Sequence, residues 1–178
     1  MRINTRTGPV TDTPIAAPAW WVAGVYLLVA LMAQMELLHA IPLRGAQLSA
    51  VLVVVVWYAL HSDLRGAAIY GLIAGLCEDA LGTQTGAAWT LSTASIAIVA
   101  NYLTRWFFAD SIPAVAFVVL LATLLRRLIF WIVMALQGYP PGYAGLHLHQ
   151  ALWEAALNAA FAVAALLLIR RYEERRVQ

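Results

Sequence analysis

The chain has 178 residues, of which 63% are hydrophobic and 11% charged, with a formal net charge of +2 and a mean hydropathy of +0.78. A soluble domain is typically about half apolar and about a quarter charged, so this chain has too few charges to cover a water-exposed surface. The small net charge gives no indication of a nucleic-acid-binding protein. The composition therefore indicates a single domain that lies in a membrane.

Apolar stretches follow one another along the whole chain, and a helix needs roughly 20 such residues to cross a bilayer. Short segments rich in polar residues, Gly or Pro separate them, as in the run Gly138-Tyr139-Pro140-Pro141-Gly142. We therefore predict an all-α, polytopic protein of six transmembrane helices, at residues 20–38, 47–60, 66–81, 87–106, 113–136 and 148–169. Residues 1–18 are expected to be a disordered N-terminus, residues 19–170 the transmembrane domain and residues 171–178 a charged tail.

Arginine placement gives the orientation, because cytoplasmic loops of membrane proteins carry an excess of positive residues. With both termini inside, only Arg44 falls in an outer connection. The inner segments then contain eight arginines, namely Arg2, Arg6, Arg65, Arg105, Arg170, Arg171, Arg175 and Arg176. We therefore predict that both termini are cytoplasmic. A break of the fifth helix at Arg126 is the alternative to one continuous span.

Ionisable residues inside the spans are costly at membrane depth and tend to face the bundle interior. Counting 1.5 Å per helical residue places them together in the outer half of the bilayer. The residues of this predicted interhelical charge layer are Glu36, Glu78, Asp79, Arg126, Arg127 and Glu154. We expect Asp79, with or without Glu78, to pair with Arg126 or Arg127, and Glu154 is the rival acid. Such a layer either locks helices together or forms a ligand, proton or partner-helix site.

Gly71 and Gly75 have the spacing that lets two helices approach closely in a membrane. They pack helices within the bundle or form the face for a partner helix, and Asn158 is expected to form interhelical hydrogen bonds. The chain has no motif of a hydrolase, a metalloprotease or a phosphate-binding loop. We therefore predict no enzymatic activity, no cofactor and no metal site.

The run from Gly71 to Gly82, GLIAGLCEDALG, followed by Gly86 and Leu91, resembles the signature of the rod shape-determining protein MreD family. That family has a helix with Gly-x-x-x-Gly-x-x-x-Asp spacing, a short glycine-containing turn, and then a helix of small and apolar residues. The segment 57–60 before a polar loop, and Asn158 before Arg170-Arg171 and a charged tail, agree with it. The resemblance covers roughly residues 48–176.

The resemblance implies a multi-pass protein of the bacterial inner membrane that acts as a scaffold or regulator of the cell-elongation machinery. The implied partners are an MreC-like single-span protein and, in a larger complex, MreB, RodA and a class B penicillin-binding protein, which together support peptidoglycan synthesis. It also implies a fold like that of the substrate-binding subunit of energy-coupling-factor transporters. A vitamin-binding subunit of such a transporter is the alternative function, because these subunits also have six helices and bind a ligand near the outer face.

Overall fold

The computed structural model describes residues 18–36, 46–82, 85–103, 111–139 and 144–177. These residues form six α-helices, which confirms the predicted all-α class. They are α1 (Trp20–Glu36), α2 (Ala50–His61), α3 (Leu64–Leu81), α4 (Ala88–Leu103), α5 (Ile112–Leu136) and α6 (Ala144–Val177). The alternative break at Arg126 does not occur, since α5 is continuous through that residue.

The described helices differ in length from the sequence-based ranges, and α6 differs most. Helix α2 has 12 residues, which gives a length of about 18 Å. Helix α6 has 34 residues and includes most of the segment expected to be a separate tail. The predicted disordered N-terminus, apart from Pro18, lies outside the described residues, as do Arg44 and Arg105.

Helix α2 lies at the centre of the bundle. It contacts α1, α3, α4, α5 and α6. Eight of its residues are buried, namely Ala50, Val51, Leu52, Val53, Val55, Val56, Tyr58 and Ala59. A helix that is hydrophobic on all sides is typical of a protein core or of a membrane span. The Val-rich sequence of α2 is therefore explained by its central position.

Helices α3 and α4 pack so closely that side chains are excluded between them. A Cβ atom added at Gly71 would lie 2.5 Å from the Cβ of Ala97, and one added at Gly75 would lie 2.6 Å from the Cα of Thr90. Small residues permit this approach of two backbones. The sequence left two alternatives for Gly71 and Gly75, packing within the bundle or a partner face. The structure shows that they pack against α4, within the chain. The prediction of a partner face at these glycines is wrong, because α4 already covers it.

Buried charged residues and exposed large apolar residues occur together in the described part of the chain, around a core that is otherwise mostly apolar. Arg126, Glu78 and Glu154 are buried, whereas large apolar side chains such as Trp21 and Leu28 are exposed. Charged residues are almost never fully buried in soluble proteins unless they are paired. By length and composition, α5 and the segment His147–Tyr172 of α6 can cross a membrane, and α1, α2 and α4 are shorter apolar helices.

Candidate functional site

Arg126 is the largest fully buried side chain in the described part of the chain, with 1% of its surface exposed. It faces the interior because Val119, Ala122 and Thr123, at helical spacing on α5, are buried on the same side. Its Nη2 atom lies 2.6 Å from Oε1 and 2.5 Å from Oε2 of Glu78 on α3. A buried guanidinium is tolerated only when its charge and its N–H groups are satisfied, and Glu78 supplies the countercharge.

The remaining N–H groups of Arg126 connect two further helices. Its Nε donates to Thr93 Oγ1 of α4 at 3.1 Å, and its Nη1 donates to Ser49 Oγ at 2.9 Å. Ser49 is also the N-cap of α2, since its side chain accepts a hydrogen bond from the Leu52 amide. One arginine on α5 therefore positions α3, α4 and the start of α2 together.

Side chains of α1 and α6 complete this buried polar network. Gln34 of α1 donates to Glu78 Oε1 at 3.5 Å and accepts from Ser49 Oγ at 3.3 Å. Asn158 of α6 accepts from the Ser49 amide at 2.8 Å and donates to Thr123 Oγ1 at 3.2 Å. The expected interhelical role of Asn158 thus corresponds to the observed bonds. Each of the six helices therefore contributes to the network, and the contribution of α2 is its N-cap residue, Ser49.

A second ion pair lies beside the network at the edge of the bundle. Arg127 on α5 bonds to Glu154 on α6 through Nη2 and through Nε, whose distance to Glu154 Oε2 is 2.5 Å. Glu154 is buried, whereas a quarter of the Arg127 side chain is exposed. The indole ring of Trp89 lies under both guanidinium groups, 4.4 Å from Cζ of Arg126 and 5.4 Å from Cζ of Arg127. Contact with the face of a Trp ring stabilises a desolvated cation.

Two members of the predicted charge layer lie outside these ion pairs. The prediction that Asp79 pairs with an arginine is wrong. Its carboxylate instead accepts bonds from the Thr90 amide at 2.7 Å, the Trp89 amide at 3.2 Å and the hydroxyls of Thr85 and Thr90. Asp79 therefore satisfies free N–H groups at the start of α4, where a helix dipole also favours negative charge. Glu36 is exposed at the end of α1 and forms no ion pair within the described ranges.

The network surrounds a small polar cavity of about 60 Å³, which Gln47 and Leu48 also line. A buried water molecule needs roughly 10–15 Å³ of such space, so a few waters fit. Ligand-binding pockets of the size that accept a vitamin are about 300–1,000 Å³. The arrangement is therefore suited to holding helices in place and to hydration, and not to enclosing an organic ligand.

Four members of the site were not predicted from the sequence, namely Gln34, Ser49, Trp89 and Thr93. Ser and Thr are ordinary residues of apolar helices, and nothing in their local sequence distinguishes those that bond to an arginine. Gln34 carried a usable signal, because an amide in an otherwise apolar helix requires a hydrogen-bonding partner. Ser49 also precedes an apolar run, which is typical of an N-cap.

The fold and the site together define an all-α helical protein with a charged, hydrogen-bonded network inside a mostly apolar core and with many large apolar side chains exposed. Comparisons with models of protein families, with curated protein sequences and with solved structures find no match to this chain.

Proposed function

We propose that this protein is a six-span membrane protein of the MreD type, a non-enzymatic scaffold or regulator of the cell-elongation machinery in the bacterial inner membrane. The single observation that supports this most is the hairpin of α3 and α4. The residues that carry the family resemblance, Gly71, Gly75 and Asp79, all act in it: the glycines permit close packing and Asp79 caps α4. The motif therefore has a physical role in building a membrane bundle.

The six-span topology is supported by the position of the polar groups. The network lies after the midpoint of α1, α3 and α5 and before the midpoint of α2, α4 and α6, as expected when consecutive helices run in opposite directions. The short α2 is compatible with a span, because surrounding helices and not lipid cover its sides. The arginine bias supports a cytoplasmic location of both termini.

The alternative function, a vitamin-binding subunit of an energy-coupling-factor transporter, has less support. Such a subunit needs a cavity for its ligand in the outer half of the bundle, at the level where the polar network lies. The cavity there is about 60 Å³, and ion pairs and hydrogen bonds occupy its walls. We therefore favour the scaffold.

We further propose that the implied partner, an MreC-like protein with a single transmembrane helix, binds to α1. Helix α1 presents an exposed stripe of large apolar residues at helical spacing, Trp21, Val25, Leu28 and Met32. Gly24 lies within this stripe, and a Cβ added there meets no atom within 4 Å. An exposed glycine on a lipid-facing helix lets a second helix approach closely.

The variant Gly24→Leu tests this proposal. We expect recovery of the co-expressed MreC-like protein with the tagged chain to fall roughly ten-fold, equal to about 1.4 kcal/mol of association free energy. Gly145→Leu is the matched control, because an added Cβ at Gly145 also meets no atom within 4 Å but the residue lies on α6. Equal recovery with both variants would exclude the α1 face. Absence of the MreC-like protein from the wild-type sample, with a bound vitamin found there instead, would contradict the scaffold function.

A further inference from the structure

Helix α6 extends beyond its neighbour α5 at its C-terminal end. The hydrogen bond between Thr123 of α5 and Asn158 of α6 fixes the register of these two antiparallel helices. Ile112, the first residue of α5, lies eleven residues before Thr123. Eleven residues after Asn158, α6 reaches Ile169, which is therefore level with the start of α5. The last eight residues of α6, residues 170–177, project past α5 by about 12 Å.

An exposed face of α6 changes in chemistry where this projection begins. Leu168 and Tyr172 have 67% and 57% of their surface exposed, and Arg171 and Arg175 are exposed as well. The last three follow Leu168 by three, four and seven residues, so all four lie on one side of the helix. We call these four residues the basic face of α6. The face is apolar before the level of Ile169, and beyond that level it carries an aromatic ring and two guanidinium groups.

The two arginines of the basic face carry positive charge that the described residues do not neutralise. The ion pairs in the described part of the chain belong to Arg126 and Arg127, and neither Arg171 nor Arg175 forms one there. Residues 170–177 contain four arginines and two glutamates, which gives a net charge of +2. A guanidinium group binds phosphate through two parallel hydrogen bonds, so the basic face is complementary to a surface of phosphate groups.

The change along the basic face matches the inner boundary of a bilayer. In the proposed topology the start of α5, and hence Ile169, lies at the cytoplasmic edge of the hydrocarbon core. Leu168 is then at the level of the acyl chains, and Tyr172 lies at the interface, where tyrosine is enriched. Arg171 and Arg175 lie about 3 Å and 9 Å beyond Ile169, and the headgroup region extends roughly 5–8 Å beyond the core.

We propose that the basic face of α6 binds anionic phospholipid of the cytoplasmic leaflet. Arg171 and Arg175 donate to the phosphate oxygens, and an acyl chain lies against Leu168. An acidic protein segment fits this face less well, because it would match the arginines but not the exposed leucine and tyrosine that continue the same face. The proposal rests on the membrane placement in the proposed function, but not on the partner.

Lipid titration followed by native mass spectrometry tests this face. The full chain in detergent is titrated with phosphatidylglycerol and, separately, with phosphatidylcholine, each carrying a palmitoyl and an oleoyl chain. We expect the wild type to bind phosphatidylglycerol more tightly. One arginine near an anionic surface contributes about five-fold to affinity. The combination of Arg171→Gln and Arg175→Gln should therefore weaken binding of the first phosphatidylglycerol about 25-fold and leave phosphatidylcholine binding unchanged.

Two further double variants serve as controls. Arg171→Lys with Arg175→Lys keeps both charges and should retain most of the affinity for phosphatidylglycerol. Arg2→Gln with Arg6→Gln removes the same charge from the opposite end of the chain, on the same predicted side of the membrane, and should change the affinity by less than two-fold. Size exclusion shows that each variant is folded, and we expect unchanged elution because Arg171 and Arg175 are exposed.

Wild-type affinity for phosphatidylglycerol in the Arg171 and Arg175 glutamine variant would overturn the proposal. An equal loss in the Arg2 and Arg6 variant would overturn it as well, because binding would then follow net charge and not the basic face. Either result, together with normal recovery of the MreC-like protein by the wild type, would reject the lipid-binding face and leave the proposed function in place.

Discussion

Replacing Arg126 with Met is expected to lower the free energy of unfolding by about 3–5 kcal/mol, because it leaves the Glu78 carboxylate buried without a countercharge. The same change removes the donor to Ser49 and to Thr93, so the start of α2 loses a contact with α5. Unfolding of the detergent-solubilised protein, followed by tryptophan fluorescence, measures this loss. Arg65→Met is the control, since Arg65 is exposed at the start of α3 and its replacement should change stability by less than about 0.5 kcal/mol.

A double-mutant cycle separates the ion pair from general damage to the core. Glu78→Met alone should also destabilise the protein, because it leaves the Arg126 guanidinium without its carboxylate. The combination of Arg126→Met and Glu78→Met replaces the pair with two apolar side chains and should lose less than the two single losses together. Strict additivity would show that the two side chains do not interact in the folded protein.

Gly75→Leu is expected to cost about 3 kcal/mol or more and to prevent accumulation of folded protein. The first added carbon would lie 2.6 Å from Thr90 Cα and 2.9 Å from the Trp89 carbonyl oxygen, so α3 and α4 must move apart. That movement would also withdraw Asp79 from the amides at the start of α4. The measurement is the fraction of detergent-extracted protein that elutes as a single monodisperse species in size exclusion.

Gly24→Leu is the matched control for this overpacking, because it makes the same substitution where space is open. It should leave the elution profile unchanged even though it weakens the proposed partner contact. Normal elution of Gly75→Leu would contradict the close packing of α3 on α4.

The number and order of the helices were predictable from sequence, because apolar stretches and the Gly and Pro residues between them are local features. The rotation of each helix about its axis depends on its packing against other helices and not on its local sequence. This rotation determines which charged residues pair. The estimated depths did not distinguish Asp79 from Glu78 as the partner of an arginine, because consecutive residues differ by only 1.5 Å along the helix axis. They differ by about 100° around it, and this rotation directs Glu78 to the bundle centre and Asp79 to the start of α4.

Small residues alone do not distinguish Glu78 from Asp79, because Asp79 also lies four residues after a small and buried residue, Gly75. Glu78 lies four and seven residues after Ala74 and Gly71, which are small and buried, so these residues share one face. Arg126 likewise follows Ala122 and Thr123 at helical spacing, whereas Arg127 is one position off that face. The sequence could not show which polar groups of α1, α2 and α4 bond within the network, because this depends on how the helices pack against one another.

The proposed topology has six membrane-spanning helices around the buried polar network, so successive connections should lie on alternating sides of the membrane. The sidedness of each connection tests this topology. Fusions of alkaline phosphatase, active only outside the inner membrane, and of a fluorescent protein, fluorescent only in the cytoplasm, are made after Arg65, Gly86, Trp106, Tyr139 and Gln178. We predict fluorescence after Arg65, Trp106 and Gln178, and phosphatase activity after Gly86 and Tyr139. The same side for Tyr139 and Gln178, or for Arg65 and Gly86, would contradict the six-span topology.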